Sequence, residues 1–324
     1  MFGQGIRYMK LFFNTINIKN KIDINNFIIA KANIPDLNDY VPQGIMYLKD
    51  NIYITAYNSI GGNTRLYTLN KELKHVKTSE LYNNSHAGGL TYDNSNKLIW
   101  ITDKKGSISG YEYKSLTHDT LTPILKRVDV SDELINIWNG KTAAYICANN
   151  KKLYVGNYNE KSKSILKEYD LIKDGISDSY RTIKFLGGVQ GICFYQYENG
   201  TYLLVSRSCG KRIPSLLEIY NYDDTITDYR KEKHVTIKMN AMMEQITIMN
   251  NHLLCLFECN SRKYNKERVY NDIIKIDLNK LLETIKRDIS IWYISYLLFF
   301  YSKNISYCWI IKSYSIFKWS NFII

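Results

Sequence analysis

The residues of this chain best equipped for chemistry fall at two recurring places, just before and just after short apolar runs. Gln43, Gln190 and Glu244 each open such a run, and His86 stands two residues before Gly88 at the corresponding point of another. Asp103, Arg207 and Glu258 each follow a run. His86 is a candidate proton-transfer group. The carboxylates of Asp103, Glu244 and Glu258, with the amide oxygens of Gln43 or Gln190, form a donor set for a hard divalent cation such as calcium, which takes several oxygen ligands. Arg207 speaks for a different ligand, because its guanidinium matches a carboxylate or phosphate in a bidentate fork. These residues are far apart in sequence, so only a fold that returns the chain repeatedly to one hub makes a site of them.

The chain has that organisation. About every 45 to 55 residues it repeats a small residue, a short apolar strand, a polar turn and a second apolar strand. The copies open at Val41–Tyr47, His86–Tyr92, Ala144–Cys147, Val189–Phe194 and Glu244–Ile248, and each goes on to a second run such as Leu98–Asp103 or Leu253–Glu258. The second run is apolar at nearly every position, which suits a strand covered on both faces. Each copy is a meander of three or four strands with no amphipathic helix to cover it. Radial stacking buries each sheet against its neighbours and leaves only short edges. The expected fold class is therefore all-β, a single β-propeller of about five blades, with six as the alternative count. Asn26–Ala32 also reads as a strand and is expected to complete the last blade. The corresponding domain limits are a lead-in over 1–25, the propeller over 26–282 and a tail over 283–324.

In such a wheel the start of the first strand and the end of the second share one face. Alignment of the copies then predicts an inner ring of Gln43, Gly88, Ala144, Gln190 and Glu244, and a second ring of Tyr57, Asp103, Tyr158, Arg207 and Glu258. Convergent polar groups in one concavity mark a ligand site. Polar strand ends also bond to neighbouring backbone, and an Arg207 pair with Glu258 or Asp103 would simply tie blades together.

The strand-and-glycine pattern over roughly residues 26–282 resembles that of YVTN-type and gluconolactonase-like propellers. That resemblance implies a metal at the channel mouth, although the gluconolactonase ligand set has no residue-by-residue counterpart here. The WD dipeptide and Gly-His signature of WD40 repeats are absent.

Composition narrows the function. The net charge is +12, of which residues 36–282 carry only +5. The repeat lysines lie in turns such as Lys104-Lys105 and Lys151-Lys152, and no recognition motif accompanies them, so nucleic acid is not an expected partner. The six cysteines form no CxxC pair. Cys147, Cys193 and Cys255 read as buried thiols, while Cys209 and Cys259 follow matching strand ends and leave a disulfide open. No P-loop, HExxH, GxSxG or dinucleotide fingerprint occurs. His75, His118, His234 and His252 read as ordinary surface residues.

Met9–Phe13 starts like a secretory signal, but Asn14 and Asn17 interrupt it, which makes a cytoplasmic location the default. After Leu282 the composition shifts, and Ile289–Ile324 holds no acidic residue. This tail is too interrupted for a span. It reads as an interfacial membrane contact, a docked helix or out-of-frame translation. The expected function is non-enzymatic binding of a small molecule or protein at the axial mouth. The alternative is a metal-dependent hydrolase or lyase with His86 in proton transfer.

Overall fold

A computed structural model describes residues 22–81, 84–117, 124–136, 140–160, 163–264 and 270–288. Five four-stranded antiparallel sheets follow one another along the chain. Blade 1 runs Tyr40–Leu48, Asn51–Asn58, Thr64–Asn70 and His75–Leu81. Blade 2 is Leu90–Asp93, Leu98–Thr102, Ser107–Glu112 and Lys126–Asp129. Blade 3 is Tyr145–Asn149, Lys152–Gly156, Ser164–Ile172 and Gly175–Phe185, and blade 4 is Val189–Tyr197, Gly200–Arg207, Leu216–Asn221 and His234–Lys238. Blade 5 takes Met243–Met249, His252–Phe257 and Ile273–Asp277 from the end of the chain and Ile28–Ala32 from its beginning. The inner strand of every blade touches the inner strand of the next, and that of blade 5 touches that of blade 1. The fold is a five-bladed β-propeller, closed by the strand expected to close it.

The apolar side chains form five clusters, one for each junction between blades. Ile99 and Tyr111 of blade 2 pack on Met46, Tyr53 and Leu66 of blade 1. The other face of blade 2 offers Trp100 and Ile108 to Ile146 and Val155 of blade 3. Leu98–Thr102 is buried at all five positions, as the unbroken apolar run requires of a strand with neighbours on both sides. Tyr145, Tyr154 and Leu166 meet Ile192, Leu203 and Tyr220 between blades 3 and 4. Ile45, Ile54 and Tyr67 meet Leu254 and Ile273 where blade 5 closes on blade 1.

The largest cluster lies between blades 4 and 5 and includes Leu278, Leu281, Leu282 and Ile285. These residues belong to a helix over 278–288. Their spacing puts four apolar side chains on one stripe, so a limit drawn at residue 282 falls inside a docked helix. No helix of the described residues is long and apolar enough to cross a membrane. The tail from 289 onward, most of the lead-in and Cys308 lie outside the described residues.

The closing strand is antiparallel to Ile273–Asp277, with Ile28 opposite Ile276 and Ala32 opposite Ile273. Asp272 fastens the chain that follows it. One carboxylate oxygen accepts from the Ile34 backbone N–H at 2.9 Å, the other from the Asn260 amide at 2.9 Å. Burial raises the Asp272 carboxyl to about 6, against the pull of those donors. Since the folded value lies above the ordinary one, the folded state holds the extra proton between about pH 4 and 6. Stability contributed by this residue is therefore present at pH 4 and lost as pH rises to 6. Asp272→Asn is expected to flatten that part of the stability–pH curve by about 2 kcal/mol. Urea midpoints of both proteins at pH 4 and 6 measure it, and parallel curves would exclude it.

Candidate functional site

Three of the five inner strands carry a bulge at the same place. The ladder slips between Pro42 and Gly44, between Val189 and Gly191, and between Met243 and Ile246. A bulge leaves a residue unpaired and breaks the strict alternation of faces. The residues released are Gln43, Gln190 and the adjacent pair Glu244 and Gln245. Glycine follows the bulged residue in blades 1 and 4 because the axis has no room for more. A Cβ on Gly44 would stand 2.6 Å from Thr55 Oγ1, and one on Gly191 would stand 2.8 Å from Gln245 Cα.

Gln245 occupies the hub. Its Oε1 accepts from the backbone N–H groups of Ile45 and Leu90, each at 3.0 Å. Its Nε2 donates to the carbonyls of Leu90 at 3.0 Å and Ile146 at 2.9 Å. One side chain from blade 5 thus satisfies edge groups of blades 1, 2 and 3, which as innermost strands have no ladder partner on that side.

Above this hub stands the acidic pair. Glu244 is buried, 2% exposed, and its carboxyl is in hydrogen-bond contact with that of Glu258. The Gln190 amide donates to Glu244 Oε1 at 3.1 Å. The Gln43 amide and the Tyr264 hydroxyl both donate to Glu258 Oε2, each at 2.8 Å. Burial, then the neighbouring Glu258 charge, pushes the Glu244 carboxyl well above the usual range. Burial raises Glu258 too, but Tyr264, the Lys263 charge, Gln43 and Glu244 all favour its ionised form. Two like charges in contact oppose each other's ionisation, so the proton is held most strongly on the Glu244 side of the pair.

His86 lies beside this floor, its ring stacked on Tyr57 at 4.3 Å between centroids and 29° between planes. The imidazole is exposed to solvent. Desolvation by its neighbours, then the Lys263 charge, lowers its pKa below the usual range, so the ring is neutral at pH 7. Lys263 donates to the Tyr57 hydroxyl from the loop after Glu258.

The ring positions expected from alignment are therefore occupied as strand starts and strand ends, but not all of them join one cluster. Gln43, Gln190, Glu244, Glu258, Tyr57 and His86 belong to the mouth. Asp103 is committed within blade 2, accepting from Arg127 Nε at 2.9 Å and from the Ser109 hydroxyl. Arg207 pairs with buried Glu218 on the adjacent strand and donates to the Gly187 carbonyl at 2.8 Å. It is thus tied within its own blade, not to Glu258 or Asp103. Among the described residues no three His, Cys, Asp or Glu side chains converge as a metal set would. Cys209 and Cys259 are both free thiols, so the disulfide left open by the sequence is not formed.

Residues that alignment did not single out complete the site. Gln245 was hidden by period-two reading, which sends it to the face opposite Glu244 until the bulge is known. Lys263 and Tyr264 lie in the single 3₁₀ turn Arg262–Tyr264, too short for periodicity to carry a signal.

No protein-family model matches the chain, and no curated protein sequence matches it. Solved structures do. One is that of a nidogen/laminin complex, 14% identical over 74% of this chain and 77% of that one, with a TM-score of 0.45. The WD40 repeats of RRP9 are 8% identical over 77% of this chain and 99% of that one, with a TM-score of 0.45. The GH43 β-1,3-galactosidase BT3683, with galactodeoxynojirimycin, is 10% identical over 77% and 93%, with a TM-score of 0.45. The likeness is to the propeller fold. It goes no finer, and the resemblance to gluconolactonase-like proteins likewise stops at the fold.

Proposed function

We propose that this propeller is a binding protein without turnover, and that a small ligand sits at the mouth over Glu244 and Glu258. The observation that carries the proposal is the acidic pair itself, Glu244 buried and Glu258 half-buried. An ionised carboxyl shielded from water is costly unless a countercharge or donors accompany it, and among the described residues neither glutamate forms an ion pair within 4.0 Å. Their partners are the amides of Gln43 and Gln190 and the hydroxyl of Tyr264, which fix their orientation. A positioned acid pair beside a stacked Tyr57–His86 wall is a recognition surface, and a ligand that brings donors completes it.

Glu244→Gln tests the proposal without disturbing the frame. The new amide reproduces the protonated acid: its oxygen accepts from Gln190 and its N–H donates to Glu258. The groups around position 244 are Glu258, Lys263, Tyr57, Tyr158, Tyr264 and neutral His86. Wild-type Glu244 has a folded pKa above the ordinary one, so its contribution to stability falls as pH rises. The variant is expected to match wild type near pH 4 and to exceed it at pH 7.5. A thermal-shift panel of sugars, amines, carboxylates and metal salts identifies wild-type ligands. A ligand that brings donors takes the place of the Glu244 proton, which the amide cannot give up, so affinity for the variant is expected to fall about ten- to hundredfold, as for loss of one charged hydrogen bond of ~1.5–3 kcal/mol. A variant less stable at pH 7.5 with unchanged ligand affinity would make the pair purely structural. The enzymatic alternative answers to His86→Ala, which would have to abolish turnover.

A further inference from the structure

Resting on that reading, we infer that the mouth recognises an ammonium group, and that Lys263 is a tethered stand-in which the ligand displaces. The Lys263 ammonium lies 5.1 Å from the Tyr57 ring centroid and 5.3 Å from that of Tyr264, both within cation–π reach. It also donates to the Tyr57 hydroxyl. The same Tyr264 donates its hydroxyl to Glu258, so the aromatic walls and the acidic floor are one continuous assembly. A second ammonium, that of Lys211, stands 4.9 Å from the Tyr264 centroid, so the ring draws cations from two loops.

The chemistry selects among ligand classes. An anion would meet the Glu258 carboxylate, and a neutral hydroxyl compound would leave the acid pair without a counter-charge. An ammonium supplies that charge, offers three N–H donors and lays its carbon stem against the tyrosines. Lys263 is suited to give way, because it is exposed to solvent and forms no ion pair within 4.0 Å with either glutamate among the described residues.

Ligand-observed NMR on wild type, Lys263→Met and Glu244→Gln tests this with four probes: n-butylamine, a capped lysine-containing peptide, n-butanol and butyrate. Both amines are expected to bind, and Lys263→Met is expected to tighten them about tenfold, the factor when a competitor fills its site nine-tenths of the time. Glu244→Gln is expected to weaken them. Much tighter binding of the peptide would assign the ammonium to a protein side chain, and equal binding to a free amine. Lys263→Met with unchanged or weaker amine binding overturns the inference. Butyrate or butanol bound at the mouth and lost in Glu244→Gln overturns it while upholding the small-ligand reading. Silence of both amines in all three proteins also overturns it and leaves that reading to the broader panel.

Discussion

Gln245→Ala is expected to be the most damaging single substitution in the propeller, lowering unfolding stability by at least about 4 kcal/mol. The substitution removes four hydrogen bonds, to Ile45, Leu90 twice and Ile146. It strands backbone groups of three blades at the axis, each at about 1–3 kcal/mol when buried and unsatisfied. Against a total stability of about 5–15 kcal/mol, the lower bound already brings the fold close to its limit. Gln245→Leu keeps the volume and is expected to cost nearly as much, since shape without donors and acceptors leaves the same groups unpaired. Gln245→Glu is expected to be intermediate: its oxygens still accept from Ile45 and Leu90, but it has at most one proton for two carbonyls. Urea unfolding of the three variants gives the order. A loss below about 1 kcal/mol for Gln245→Ala would show that water or neighbouring backbone serves the hub as well.

Removal of the chain up to Ala32 is expected to abolish cooperative folding. Blade 5 would then end on Ile273–Asp277, a bare edge that has lost Ile28 opposite Ile276 and Ala32 opposite Ile273. Ile24 and Phe27, both buried against blade 5, would go as well. Full burial of two large apolar side chains is worth about 3–6 kcal/mol, before the ladder hydrogen bonds are counted. A peptide spanning residues 22–32, supplied in trans, is expected to restore a single sharp transition, because it returns the strand beside Ile34, whose N–H Asp272 still accepts. A truncated protein that melts cooperatively on its own would show that four blades and a three-stranded fifth suffice.

Much of this architecture was legible in the sequence, because an apolar strand between two blades has an unmistakable pattern. Leu98–Thr102 and Leu253–Phe257 announce their two covered faces in their composition. The count of five and the closing strand follow from the spacing of such runs. The mouth was legible in part for the same reason: Gln43, Gln190, Glu244 and Glu258 hold fixed places at strand starts and ends. Partner choice was not. Whether Arg207 meets Glu258 or Glu218 depends on the register between Gly200–Arg207 and Leu216–Asn221, which places Val205 opposite Glu218. Asp103 likewise found Arg127 through the fourth strand of its own blade, Lys126–Asp129, whose short Lys-Arg-Val-Asp run gives no alignment signal. The division of labour between Glu244 and Gln245 turned on a single extra residue in the ladder, and bulges have no composition of their own.

The shared fifth blade also dictates an order of events during synthesis. Residue 28 leaves the ribosome long before its partner Ile276. At about 5–20 residues per second, the early strand waits roughly ten to fifty seconds for its mate. Throughout that interval Ile28 and its neighbours are an unsatisfied edge on the nascent polypeptide, open to chaperones and to other chains. The wheel becomes a wheel only once nearly all of it has been made.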